Sequence, residues 1–220
     1  MTEEEWRTNE FSGRMLEHSR RITALTWITR CRKYRLVATA VLREFLRTGS
    51  QERSIEQQVI EIVDSAERVW EGQGSRDALV QVVRAAEFQS GPGVDPEWGL
   101  LLADLVDPEP FTAVRGVVGR TQYGRAGAKS KFRALQCEII RDIFGNPFRP
   151  TAFSLEWRTD SAVSLAKQMY DSREFGAMPI LADALQDAGC DNDDILNHCR
   201  DANQVHVRGC WVVDLVLGKA

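Results

Sequence analysis

The sequence predicts an all-α protein, with an irregular multi-helix N-terminal part and a compact C-terminal helical module. Three observations carry this expectation. Apolar residues recur every three or four positions through most of the chain, as one buried helix face requires. Glycine and proline clusters interrupt those stretches at helix-sized intervals. Serine and aspartate stand where helix N-caps are needed.

The first amphipathic stretch runs from Arg20 to Leu46, with Ile22, Leu25, Ile28, Leu36, Val37, Ala40, Val41 and Phe45 on one stripe. Thr48-Gly49-Ser50 ends it. A second helix starts near Ser54, where Gln57 three residues on suggests a capping box, and carries Ile55, Val59, Ile62, Val63, Ala66, Val69 and Trp70. Ser75 caps a third, shorter helix bearing Leu79, Val82, Val83 and Ala86. After the break Ser90-Gly91-Pro92-Gly93, Asp95-Pro96-Glu97 opens a fourth that leads to Val106. Phe111 to Phe144 is helical in pattern, but Gly116, Gly119, Gly124 and Gly127 predict a frayed, kinked or looped middle, since each interior glycine costs a helix ~1 kcal/mol against alanine.

Gly145-Asn146-Pro147-Phe148-Arg149-Pro150 is the clearest punctuation, because two prolines bias the residues before them away from helix. It divides the chain into an N-terminal and middle region, 1–145, and a C-terminal module, 146–220. Helical segments are expected there at 160–173, 178–188, 192–200 and 206–217. Strand competes only for the last, where Val207, Val212, Val213 and Val216 are β-prone.

Composition excludes several classes. With 43% hydrophobic and 27% charged residues the chain is not disordered in type, and no apolar run approaches the ~20 residues that span a bilayer. No membrane partner is expected. Met1 to Glu5 is acidic and unlike a signal peptide, so a cytoplasmic location with five reduced thiols is expected. The net charge of −4 is mild, but its distribution is uneven. Residues 1–50 carry 10 basic and 6 acidic side chains, and 51–109 carry 4 and 13. Residues 110–142 then carry 7 and 2, enough for a basic face.

Four C-terminal stretches resemble a known family: Ile140 to Pro150 (RDIFGNPFRP at its centre), Leu165-Ala166 to Tyr170 with Arg173 and Phe175, Pro179 to Leu185 with Ala188-Gly189-Cys190, and Ile195-Leu196 with His198-Cys199-Arg200 and His206 to Leu215. They are similar to a family of proteins encoded in many copies by planctomycete-type bacteria. Met1 to Trp6 and Arg32 to Leu36 resemble its N-terminal part more weakly. The family's next segment is rich in cysteine where this chain has Thr39, Val41 and Leu42. The resemblance implies no activity, since the family has no established function.

The sharpest chemical feature is Cys190, His198, Cys199, His206 and Cys210, spaced C-x7-H-C-x6-H-x3-C. Thiolate sulfur and imidazole nitrogen are the usual ligands of structural zinc, the one cofactor the sequence suggests, and four suffice. A helix over 206–217 would set His206 and Cys210 one turn apart on one face. The plain alternative is that these residues pack a helical core, cysteine being a frequently buried residue type. Cys210 with His206, or Cys199 with His198, could also form a thiolate–imidazolium pair for catalysis, though no local signature supports one. Arg208, if buried, needs a carboxylate, with Asp183 or Asp214 the candidates.

Arg115, Arg120, Arg125, Lys129, Lys131 and Arg133 lie among glycines, with Tyr123 and Phe132 interleaved. That composition suits phosphate contacts, and Arg30, Arg32, Lys33 and Arg35 add a second basic cluster. The segment lacks the glycine–lysine order of a P-loop. Of the six tryptophans, Trp6 and Trp98 follow acidic residues at helix starts and are expected to be partly exposed. Taken together, the sequence points to a non-catalytic interaction or adaptor protein whose partner is another protein. The alternatives are a nucleic-acid accessory factor using 111–135, and a metal- or thiol-dependent enzyme centred on 190–210.

Overall fold

The computed structural model describes residues 1–22, 25–48, 53–88, 96–122 and 129–219. It is all-α, with no strand among the described residues. The helices in chain order are α1 Glu3–Thr8, α2 Ser12–Ser19, α3 Trp27–Arg47, α4 Arg53–Trp70, α5 Arg76–Phe88, α6 Pro96–Leu105, α7 Pro110–Thr121, α8 Lys129–Phe144, α9 Asp160–Ser172, α10 Met178–Asp187, α11 Asp193–Arg200 and α12 Trp211–Leu217. No described helix is long and apolar enough to cross a membrane.

Helix α3 is the spine, packed by α4, α7 and α8. The expected stretch from Arg20 is in fact two elements. Arg20 caps the end of α2, and Thr26 starts α3 by accepting the Thr29 N–H. The Ser75 cap forms as expected, accepting from Ala78 N–H at 3.3 Å. The Ser54–Gln57 capping box does not start the next helix: α4 already begins at Arg53, and the Gln57 side chain donates to Glu61 Oε1 at 3.3 Å, while the Ser54 side chain lies outside the described ones.

The glycine-rich stretch is interrupted as expected, α7 ending at Thr121 and α8 starting at Lys129, but two of its glycines do not mark the break. Gly116 and Gly119 lie inside regular α7, while Gly124 and Gly127 fall outside the described residues. Close packing is the reason at Gly116. A Cβ there would sit 2.4 Å from Asp104 Cγ, so glycine lets the α6 carboxylate cross α7 and meet Arg120 Nε at 2.6 Å. The tryptophan expectation also fails. Trp6 and Trp98 are buried, and Trp27 is the exposed one. Trp6 sinks into the core because its indole N–H finds the Gly145 carbonyl at 3.1 Å.

Buried apolar side chains gather in two clusters. One draws on residues from Trp6 to Phe144, the other on residues from Ala162 to Val216. In the second, α9 and α10 pack with α11 and α12. Asn192 caps α11 by accepting the Ile195 N–H at 3.1 Å. The expected helix at 206–217 begins only at Trp211, and residues 201–210 run as turns and irregular chain.

Candidate functional site

That irregular segment builds the site. Gly209 has φ +95°, a backbone conformation that L side chains rarely adopt, and a Cβ there would lie 2.7 Å from Leu36 Cδ1. The loop therefore lies flat on α3, where a helix could not. Val207 N–H donates to Asp142 Oδ2 at 2.8 Å, pinning the loop to the last turn of α8. Cys210 N–H closes a turn on the Val207 carbonyl and starts α12.

Four side chains converge. Asp142 comes from α8, His198 from the last turn of α11, His206 from the loop and Cys210 from the start of α12, with donor atoms all within 4.8 Å of one another. His198 Nε2 lies 3.2 Å from both Cys210 Sγ and Asp142 Oδ1. His206 Nδ1 lies 3.0 Å from the same Asp142 Oδ1 and 3.9 Å from Cys210 Sγ. Asp142 and Cys210 are fully buried, and the His206 and His198 side chains are 7% and 10% exposed. Trp211 covers His198, its ring centroid 5.1 Å away.

Electrostatics follow from this burial. Burial works to raise the Asp142 carboxyl, but hydrogen bonds and charge from His198 and His206 outweigh it and hold the group below the usual carboxylate range. Burial, then the Asp142 charge, pushes the Cys210 thiol well above its ordinary value. Cys199 is pushed up to about 12, chiefly by burial. As a metal-free set these thiols are poor nucleophiles.

Three of the five sequence candidates meet, and two do not. Cys190 and Cys199 are buried in the second apolar cluster and are not among the converging donors. The reason for Cys199 is helical: it follows His198 directly, and neighbours on a helix diverge. Asp142 takes the fourth place. Sequence spacing had passed over it because it lies 64 residues from His206. One signal was nonetheless at hand, since Asp142 stands inside the RDIFGNPFRP stretch. The proposed His206–Cys210 helix pair is also corrected, because both residues precede α12 and the closer thiol–imidazole contact is Cys210 with His198.

The other charged candidates are placed as follows. Arg208 meets Glu67 at 3.5 Å and covers the Tyr170 ring, so neither Asp183 nor Asp214 is its partner. Arg30, Arg32, Lys33 and Arg35 turn inward. Arg30 bonds the carbonyls of Arg20, Ile22 and Leu25, Lys33 that of Ile143, and Arg35 those of Leu105, Asp107 and Pro108. Arg32 binds Asp214. Of the 111–135 cations, Arg120 is engaged with Asp104 and Arg133 stacks on Phe11 at 4.7 Å. Arg115 and Lys131 are exposed, whereas Arg125 and the Lys129 side chain lie outside the described ones.

Compared with family models, curated proteins and solved structures, the chain matches none. Fold and site therefore define a class alone: an all-α protein with a buried four-donor cluster of carboxylate, two imidazoles and thiol.

Proposed function

We propose that this protein works by binding another protein, as a non-catalytic interaction module. The observation that carries this reading is the burial of the one cluster of carboxylate, imidazole and thiol groups that converges among the described residues. A thiol catalyst needs its base to face the nucleophile through one ring nitrogen and an orienting group through the other. Here His198 uses the same nitrogen, Nε2, toward both Cys210 and Asp142. The thiol itself is fully buried.

Surface chemistry supports the binding half. Trp27 and Ile28, consecutive at the start of α3, are 65% and 80% exposed. Tryptophan is over-represented among the anchors of protein interfaces. The inward use of Arg30, Arg32, Lys33 and Arg35 takes away most of the second basic cluster that nucleic acid would need.

The test places a photo-crosslinking residue at position 28 of the chain in its native host, with the same residue at exposed Lys167 as control. A discrete protein adduct from position 28 alone is expected. The same adducts from both positions, or none, would overturn the reading.

A further inference from the structure

We infer that Asp142, His198, His206 and Cys210 are the four ligands of one structural zinc ion, which goes beyond the interaction role. The first reason is that hydrogen bonds within the cluster leave its thiol without an acceptor. A ring nitrogen offers either a proton or a lone pair. If both imidazoles donate to Asp142 Oδ1, they fill its two lone-pair sites, and the buried Cys210 S–H is left without an acceptor. Oδ2 is taken by the Val207 N–H. If either nitrogen instead turns its lone pair inward, that lone pair faces the carboxylate oxygen at 3.2 Å or less. A cation at the shared centre removes the conflict, since all four groups then point lone pairs at it.

The second reason is dimensional. Zinc bonds of about 2.0–2.3 Å to oxygen, nitrogen and sulfur give a tetrahedron with edges of roughly 3.3–3.7 Å. Four of the six donor–donor edges are 3.0, 3.2, 3.2 and 3.9 Å and all six lie within 4.8 Å, so an ion enters by drawing the longest edges in by no more than about 1 Å.

The third reason selects the metal. Magnesium and calcium take mostly oxygen, in six or more positions. Here three of four donors are nitrogen or sulfur, and the Val207 N–H on Oδ2 leaves Asp142 one oxygen to give. Two imidazoles, a thiolate and a monodentate carboxylate suit a four-coordinate borderline ion. A thiol that binds zinc does so as thiolate. Zinc, one thiolate and one carboxylate then sum to zero, a charge a buried site can hold.

The fourth reason sets the role. Four protein donors leave no open position, and catalytic zinc keeps one. Asp142 comes from the helix that closes the first apolar cluster, His206 from a loop whose Val205 and Val207 pack on that same cluster, and His198 and Cys210 from segments of the second. The ion therefore ties the two together. His206 binds through Nδ1, which places its proton on Nε2, a buried atom without a partner among the described residues.

The test uses the whole 220-residue chain. After incubation with zinc and dialysis into metal-free buffer, elemental analysis should find close to one zinc per chain. Cobalt(II) added to the chelator-stripped protein should produce the intense visible bands of a tetrahedral site and a sulfur-to-cobalt charge-transfer band in the near ultraviolet. Cys210→Ser should abolish the charge-transfer band, and Cys199→Ser should keep it. If Cys210→Ser does not fold, the wild-type cobalt spectrum decides by itself. Sub-stoichiometric zinc, a weak octahedral spectrum without the sulfur band, or loss of that band in Cys199→Ser would each overturn the assignment.

Discussion

Two buried polar clusters join the same two apolar regions, and they are satisfied in opposite ways. Around Arg32 every charge meets its opposite. The guanidinium forks onto both Asp214 oxygens at 2.6 and 3.0 Å, and its Nε reaches Glu71 at 2.9 Å. Tyr170 donates to Glu71 at 2.7 Å, and Lys219 pairs with the same carboxylate. Such planar bidentate recognition is what arginine supplies and lysine does not. Around Asp142, by contrast, two imidazoles share one carboxylate oxygen and the Cys210 thiol lies beside them. The first cluster closes on protons the chain already carries. The second is the one for which an ion is inferred. Buried polarity is thus not one kind of evidence: a self-completing network speaks of structure, and an over-subscribed one speaks of a ligand.

The comparison can be broken most forcefully at Arg32. Arg32→Met strands the carboxylates of Asp214 and Glu71, and removing one partner of a buried pair costs about 3–5 kcal/mol. Urea denaturation should show that loss, while whatever fraction stays folded keeps its zinc. Stripping the Asp142 cluster of metal should rank next. Free zinc at a thousand times its dissociation constant stabilises by about 4 kcal/mol, so the unfolding midpoint should climb with zinc and not with magnesium. An Arg32→Met protein should show the same climb from a lower start.

Gly209→Ala separates the clusters more finely. Its positive φ and the 2.7 Å approach to Leu36 predict a loss of about 1–3 kcal/mol, seen in denaturation. Because Gly209 lies between His206 and Cys210, zinc binding should weaken along with stability. Acid probes the other cluster. Burial works to raise Glu71, but Arg32, Lys219 and Tyr170 outweigh it and hold its pKa below the ordinary value. A carboxyl depressed in the folded state contributes stability that is fully present above its unfolded pKa, about 4.3, and lost as pH falls through the folded value. Stability measured from pH 7 down to pH 3 should therefore fall less steeply in Glu71→Gln. The smallest effect belongs to the surface. Arg200→Ala removes an exposed pair with Asp183 and should cost under about 1 kcal/mol by the same denaturation, with zinc content unchanged.

Much of the fold could be read from local pattern. Of the predicted stripe, Leu36, Val37, Ala40, Val41 and Phe45 are buried on α3 as their spacing requires, whereas Ile28 at its start is exposed. Ser75 caps α5, and Pro96 opens α6 at its first position. The errors share one cause. Gly116 reads as a helix breaker until Asp104 arrives from another helix, and Trp6 reads as half-exposed until Gly145 offers a carbonyl 139 residues away. His206 to Gly209 reads as helix because its residues tolerate helix. What removes it is a bond to Asp142 and the flat approach to Leu36, neither of which leaves a trace in spacing.

By itself the sequence determined the helical class, the principal helices and three of the four converging donors, because helix formation and capping depend on residues within a few positions of one another. Only the tertiary structure decided that Asp142 completes the set and that Cys190 and Cys199 stand aside. Which lone pairs share a point in space depends on how separate helices pack, and periodicity within each helix carries no record of that.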